Sequence, residues 1–286
     1  MNQNMILAMK YIKYLAIALI AMSVTACSDD EPKNDFTREF SMVYPQLPAG
    51  HKMISKIERS QESGGSSVAV VDYDGNNHVV KITATYRDKT GSETNKETIH
   101  IDYNNGAIIC DKKIQPVTYS FEVNSQGAIT HMNNVSTNRT AAHLAYDYNN
   151  QIESAQEVNP SYTTLTTWDW SDGKLNHWKL ADITQTDSVA YDYTSSVPNK
   201  AGIDIYSNNA LSFTTLVCEV LRNAGLFGAT SNLLPGAVLK DGLEDPDTHQ
   251  IELKRYPVTY TVDADGYVTA YTVATSPKLT VKISYR

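Results

Sequence analysis

Three pairs of aromatic residues two apart are the residues of this chain best suited to holding a ligand: Tyr146 and Tyr148, Trp168 and Trp170, Tyr191 and Tyr193. Planar rings stack on the apolar faces of sugars, and the Asp and Asn side chains beside them would hydrogen-bond hydroxyls. The same spacing puts both rings of a pair on one face of a strand, where they serve equally well as core. Trp178 lies on the return arm of the Trp hairpin, and the register expected there turns it away from the buried face. It is therefore the aromatic candidate for exposure.

Other chemistry is thinner. Asp72-x-Asp74-Gly75-Asn76 and Asp263-x-Asp265-Gly266 carry calcium-type ligands, but Gly comes too early and no bidentate Glu follows, so turn geometry accounts for them. The seven histidines, His51, His78, His100, His131, His143, His177 and His249, lack a metal-type spacing and read as surface or cross-strand residues. Cys110 and Cys218 would pair in an oxidising compartment or remain two separately buried thiols. No nucleophile elbow, Walker loop or dinucleotide fingerprint occurs, so no cofactor and no metal are expected. Paired carboxylates are plentiful, which leaves a hydrolase open without locating it.

The N-terminus carries an address. Lys10 and Lys13 precede an apolar run, Tyr14 to Met22, too short to span a membrane as a helix. Val24-Thr25-Ala26-Cys27 resembles the lipobox of bacterial lipoproteins, which implies removal of residues 1–26 and lipidation of the Cys27 thiol. The alternative is an ordinary signal peptide with a chance cysteine. Ser28-Asp29-Asp30-Glu31 resembles the acidic export tag of Bacteroidota surface lipoproteins, or is a solvated linker. Several acyl chains, each CH₂ contributing ~0.8 kcal/mol, would anchor the chain stably to an outer membrane, facing outward. Residues 27–48 then form an acidic tether in which Pro45 and Pro48 favour extended backbone.

Without residues 1–26 the chain holds 22 basic and 32 acidic residues, a balance that argues against nucleic acid as partner. The rest, 49–286, is expected to be one β-rich domain. Turn signals recur through it: Asp74-Gly75, Asn105-Gly106, Asn124 to Gly127, Asn149-Asn150, Asp172-Gly173 and Asp263 to Gly266. Several turn centres are ~20 to 24 residues apart, a hairpin repeat. The expectation is a mainly β, antiparallel meander closing into a barrel or curving as an open sheet. In that register Trp170 opposes Leu175, Trp168 opposes His177, Val262 opposes Val268, Val123 opposes Ile129 and Tyr103 opposes Ile108, all on the buried face. Asp169, Asn176, Glu122 and Thr130 fall on the outer, polar face.

Residues 209–224, NALSFTTLVCEVLRNA, predict the one helix, with Asn208 or Asn209 as cap and Gly225 at its end. Ser212, Thr215, Glu219, Arg222 and Asn223 form a narrow polar wedge, and the wide apolar remainder requires enclosure by the sheet.

A helix ending in Gly225-x-x-Gly228, a Ser231-Asn232-Leu233-x-Pro235 crossing and a final Tyr260 to Val268 hairpin resemble an uncharacterised Bacteroidales lipoprotein family. That resemblance, over about residues 100–286, implies a porin-like fold and no known activity. The hairpins more distantly resemble the tyrosine-aspartate repeats of bacterial surface proteins. A membrane pore is not implied, because Thr166, Asp169, Asn176 and Lys179 interrupt both faces, and Ile283-Ser284-Tyr285-Arg286 lacks the terminal aromatic of an inserted barrel. Asp187-Ser188-Val189 resembles a Bacteroidota O-glycosylation acceptor centred on Ser188, or begins a strand. Together these features suggest a surface-anchored, non-catalytic module that binds glycans or host polymers. An accessory subunit of an outer-membrane complex and a hydrolase are the alternatives.

Overall fold

Several hairpins are built around a carboxylate or amide that organises its own turn. Asp74 Oδ1 accepts the Asn76 and His78 N–H groups, Asn124 Oδ1 those of Gln126 and Ala128, and Asp147 Oδ1 those of Asn149 and Gln151. In the Asp-rich runs that carry calcium-type ligands, one oxygen of Asp74 and one of Asp263 thus go to backbone N–H groups, as in Asx turns. At Asp172-Gly173 both residues have positive φ, 51° and 72°, the type I′ geometry of a two-residue loop.

The structure is a computed structural model and describes residues 43–45, 50–111, 116–158, 162–182, 186–205, 213, 215–244 and 251–286. In chain order the first strands are β1 (Ile54–Gln61), β2 (Ser66–Tyr73), β3 (Val79–Arg87), β4 (Glu93–Asp102), β5 (Ala107–Asp111) and β6 (Val117–Val123). Next come β7 (Ile129–Asn134), β8 (Arg139–Tyr146), β9 (Ile152–Val158), β10 (Thr163–Ser171), β11 (Lys174–Ala181) and β12 (Thr186–Asp192). The meander resumes with β15 (Ala237–Glu244), β16 (Ile251–Val262), β17 (Val268–Val273) and β18 (Leu279–Tyr285). These sixteen antiparallel strands pair in sequence, β12 joins β15, and β18 returns to β1, so the barrel is closed. Closure decides between the two expected architectures.

Between β12 and β15 the chain folds inward. A short two-stranded sheet, β13 (Val197–Pro198) with β14 (Leu233–Leu234), flanks the helix α1 (Thr215–Asn223). Of the expected helix 209–224, residues 209–212 and 214 lie outside the described residues. α1 ends in a Schellman motif: Leu226 N–H donates to Leu221 O and Gly225 N–H, at φ 77°, donates to Arg222 O.

Barrels of about sixteen strands are too wide for their own side chains to fill. Here α1 and the crossing fill the lumen. Leu216, Val217, Val220 and Leu221 join one apolar cluster with Ile57, Ile82, Phe121, Met132, Trp168 and Val281. The outer wall carries Glu58, Lys81, His100, Glu122, His131, Asp169 and Lys179, and its large exposed apolar residues, such as Val70 and Leu165, are scattered. A lipid-facing wall would show a continuous apolar band ~25 Å tall. The described residues of this wall show no such continuous band.

The hairpins differ from the expected register by a repeated bulge. In β10–β11 Trp170 opposes Leu175 but Asp169 opposes His177, so Asn176 is an extra residue. The same one-residue shift follows the turn at Tyr73/Val79, Val123/Ile129, Tyr146/Ile152 and Val262/Val268. One extra residue inverts the parity of everything beyond it. Trp168 consequently opposes Trp178, not His177, and both point inward. The Tyr103–Ile108 pairing also fails, because a four-residue turn sets Ile101 opposite Ile108. Val262 and Val268 do pair, yet Val262, at the rim beside the bulge, is 50% exposed.

Candidate functional site

The aromatic candidates separate into core, latches and one open ring. Trp168 and Trp178 are each 5% exposed, facing one another inside the barrel, and the Arg222 guanidinium lies 5.5 Å from the Trp168 ring. The expectation that Trp178 is the exposed ring is therefore corrected, and the bulge at Asn176 is the reason.

Trp170, Tyr146 and Tyr193 donate to backbone carbonyls of a neighbouring hairpin. Trp170 Nε1–H bonds Ile152 O at 2.7 Å, Tyr146 OH bonds Ile129 O at 2.7 Å and Tyr193 OH bonds Leu175 O at 2.9 Å. Tyr73 to Ile54 O and Tyr285 to Val268 O, both 2.6 Å, repeat the device. Tyr73, Tyr146, Trp170 and Tyr193 precede turns and Tyr285 ends β18, and all staple adjacent hairpins at one end of the barrel. Tyr191 OH donates to Ile205 O and so holds the inward crossing. Tyr148, in the turn itself, is 91% exposed and is the candidate ring open to contact.

Cys27 and Ser28, Asp29, Asp30 and Glu31 lie outside the described residues. Ser188 faces outward from β12 opposite Lys179, half-buried, with Asp187 exposed beside it. Cys110 and Cys218 are both buried thiols without a disulfide between them. Burial pushes the Cys218 thiol up to about 12, which makes it a poor nucleophile.

The described side chains of the helix's polar wedge do not reach solvent. Glu219, Arg222 and Asn223 are buried in the lumen. Arg59, inward from β1, meets Glu219 at 2.5 Å, and Arg222 pairs with Asp204 on the crossing. Burial pushes the Glu219 and Asp204 carboxyls upward, while their guanidinium partners pull them back. The Arg59 pKa lies above its ordinary value, although burial opposes its charge, because Glu219 stabilises it. The two partners' shifts thus point in opposite senses for the pair. The short Arg59 Nη2–Glu219 Oε2 contact favours the ionised pair, while Arg59 Nε and Glu219 Oε1 remain without a hydrogen-bond partner.

The two ends of the barrel differ. At the turn end the crossing is stitched to the rim: Ile129 N–H donates to Leu226 O, Ala229 N–H to Asn150 O and Asn232 N–H to Gly173 O. Gly228, at φ 78°, lies so close to the Asn150 carbonyl and the Tyr146 ring that a Cβ would overlap both. The chain also joins the barrel here. Tyr44 stacks on His78 at 3.9 Å, and Lys52 bridges Asp263 and Asp265 at 2.9 and 2.6 Å. A polar cavity of about 380 Å³ remains beside His51, Lys200 and Asn223.

At the opposite, loop end, a cavity of about 600 Å³ is lined by Arg59, Ser67, Arg87, Thr94, Lys240 and Thr275 among others. Sequence reasoning missed this site. Its one signal was Arg59, two residues from the core residue Ile57 and hence on the inward face. The other members come from strands far apart in the chain.

No family model matches the sequence, and no curated protein matches it. Among solved structures, a porin-like protein from Bacteroides uniformis ATCC 8492 is 16% identical, with a TM-score of 0.61 over 85% of this chain and 100% of that one. A porin-like protein from Bacteroides vulgatus ATCC 8482 is 14% identical over 82% of this chain and 99% of that one, with a TM-score of 0.49. The likeness to the Bacteroides uniformis protein is one of fold: this chain has a porin-like β-barrel architecture, with its lumen filled.

Proposed function

We propose that the chain is a lipid-anchored, outward-facing outer-membrane protein that binds a glycan or host polymer without transforming it. The lipobox-like Val24 to Cys27 supports an anchor at Cys27, and the acidic Ser28 to Glu31 supports surface export. The resemblance of its helix, crossing and last hairpin to a Bacteroidales lipoprotein family agrees with both.

The observation that carries the binding role is the loop-end cavity of about 600 Å³, within the size range of small-molecule sites. Residues 43–45 and 50–53 join the barrel at the other end, away from the loop-end cavity. Cations, hydroxyls and apolar side chains line it, groups that hold sugar substituents and ring faces.

A glycan array probed with the full chain tests the binding role: retention of defined polysaccharides with no change in their length is expected. Release of shorter sugars would favour a hydrolase. A blank array with co-purification of one membrane complex would favour an accessory subunit. The anchor is tested separately by Cys27→Ser, which should abolish palmitate labelling; unchanged labelling would overturn it.

A further inference from the structure

Among the described residues, the loop-end mouth gathers cations on a protein whose formal net charge is −8. Arg59 reaches it from β1, Arg87 from the end of β3 and Lys240 from β15, and its described lining includes no carboxylate. Glu219 neutralises Arg59 from below through Nη2, but Arg59 Nε is buried without a hydrogen-bond partner. Arg87 is exposed on the rim. Cations gathered in a concave, partly apolar mouth focus potential and attract anions more strongly than the same charges on a convex wall. Guanidinium groups match the oxygen pairs of carboxylates and sulfates. Leu216, Pro277 and Leu279 supply apolar surface for a ring, and Ser67, Thr94 and Thr275 supply hydroxyls.

Resting on the glycan-binding role above, we propose that this mouth selects acidic glycans, its cations receiving the carboxylate of a uronic acid or the sulfate of a sulfated sugar.

Calorimetric titration of the full chain in non-ionic detergent tests this, using four probes. They are a galacturonic acid tetrasaccharide, a chondroitin sulfate tetrasaccharide, a neutral galactose tetrasaccharide and a polyglutamate peptide. The acidic sugars should bind and the neutral one should not, and added salt should weaken binding. The first two probes separate carboxylate from sulfate recognition. Arg87→Glu should weaken binding about tenfold or more, as removal of a close charge contact does. Lys240→Gln should act in the same direction. Lys179→Glu, the same charge reversal as Arg87→Glu but on the outer wall, should leave binding unchanged. Arg87 is exposed, so its variant remains informative if Lys240→Gln fails to fold.

Equal binding of neutral and acidic sugars, indifferent to Arg87→Glu, would overturn acidic selection while the glycan-binding role stands. Binding of polyglutamate without the acidic sugars would overturn the glycan assignment. Absence of binding by all four probes would overturn this inference, and the array then decides the broader role.

Discussion

Arg59 shows what a single charge does inside this barrel. It shares the inward face of β1 with Ile57, and its guanidinium is held by Glu219 from a helix 160 residues away. Two charges taken out of water cost several kcal/mol each, so the pair holds the helix in one position rather than adding much stability. Arg59→Met alone should destabilise by ~3 to 5 kcal/mol, because Glu219 would remain buried without its partner. Arg59→Met with Glu219→Leu should recover most of that loss, read as urea midpoints at constant slope. A double variant as unstable as the single would mean that packing, not charge, sets the cost. Arg59's inward parity was legible in the sequence, since it lies two residues from a core isoleucine. Its partner was not, because the polar wedge of an amphipathic helix suits solvent as readily as a buried counter-charge.

At the scale of the hairpin, turn positions and the two-residue spacing of aromatics were legible, because turn chemistry is local. The bulges were not. A bulge after the turn leaves the same residues in the same order and changes which face each one meets, so Trp178 moves inside without any altered sequence pattern. The aromatic before the turn then reaches a carbonyl of the neighbouring hairpin, as Tyr73 and Tyr146 do, and Tyr285 at the end of β18 does the same. Such a bond contributes ~1 kcal/mol net. Tyr73→Phe, Tyr146→Phe and Tyr285→Phe should therefore each lower stability by about that much, with little change in the buried ring. Tyr148→Phe, in an exposed turn, should cost nothing measurable. If all four behaved alike, the aromatics would act through packing alone and the latch would be incidental.

For the whole molecule, composition and repeat length indicated a β domain, and the wide apolar arc of the helix placed it within the sheet. Closure depended on β18 returning to β1, a pairing across more than two hundred residues that carries no local signal. The repeated turns give the closed barrel a collective response to acid. The Asp102 carboxyl is held below its usual range by the Asn105 side chain and nearby N–H groups, and Asp88 by the Thr90 hydroxyl and turn N–H groups. Thr194, with Arg255, lowers Asp192 to about 2. Carboxyls depressed in the folded state bind fewer protons than in the unfolded chain. Their stabilisation is complete above the unfolded value of about 4 and is lost as pH falls through the lowered folded values, about 2 for Asp192. Burial acts oppositely on Asp204 and Glu219, whose raised values favour the folded state as they take up protons. Asn124 shows which set can be altered without harm, since its amide oxygen caps the same kind of turn. Asp88→Asn with Asp102→Asn should keep both turns, leave the urea midpoint near pH 7 almost unchanged and flatten its fall below about pH 4. An acid limb as steep as that of the unaltered chain would assign acid sensitivity to groups other than these turn carboxylates.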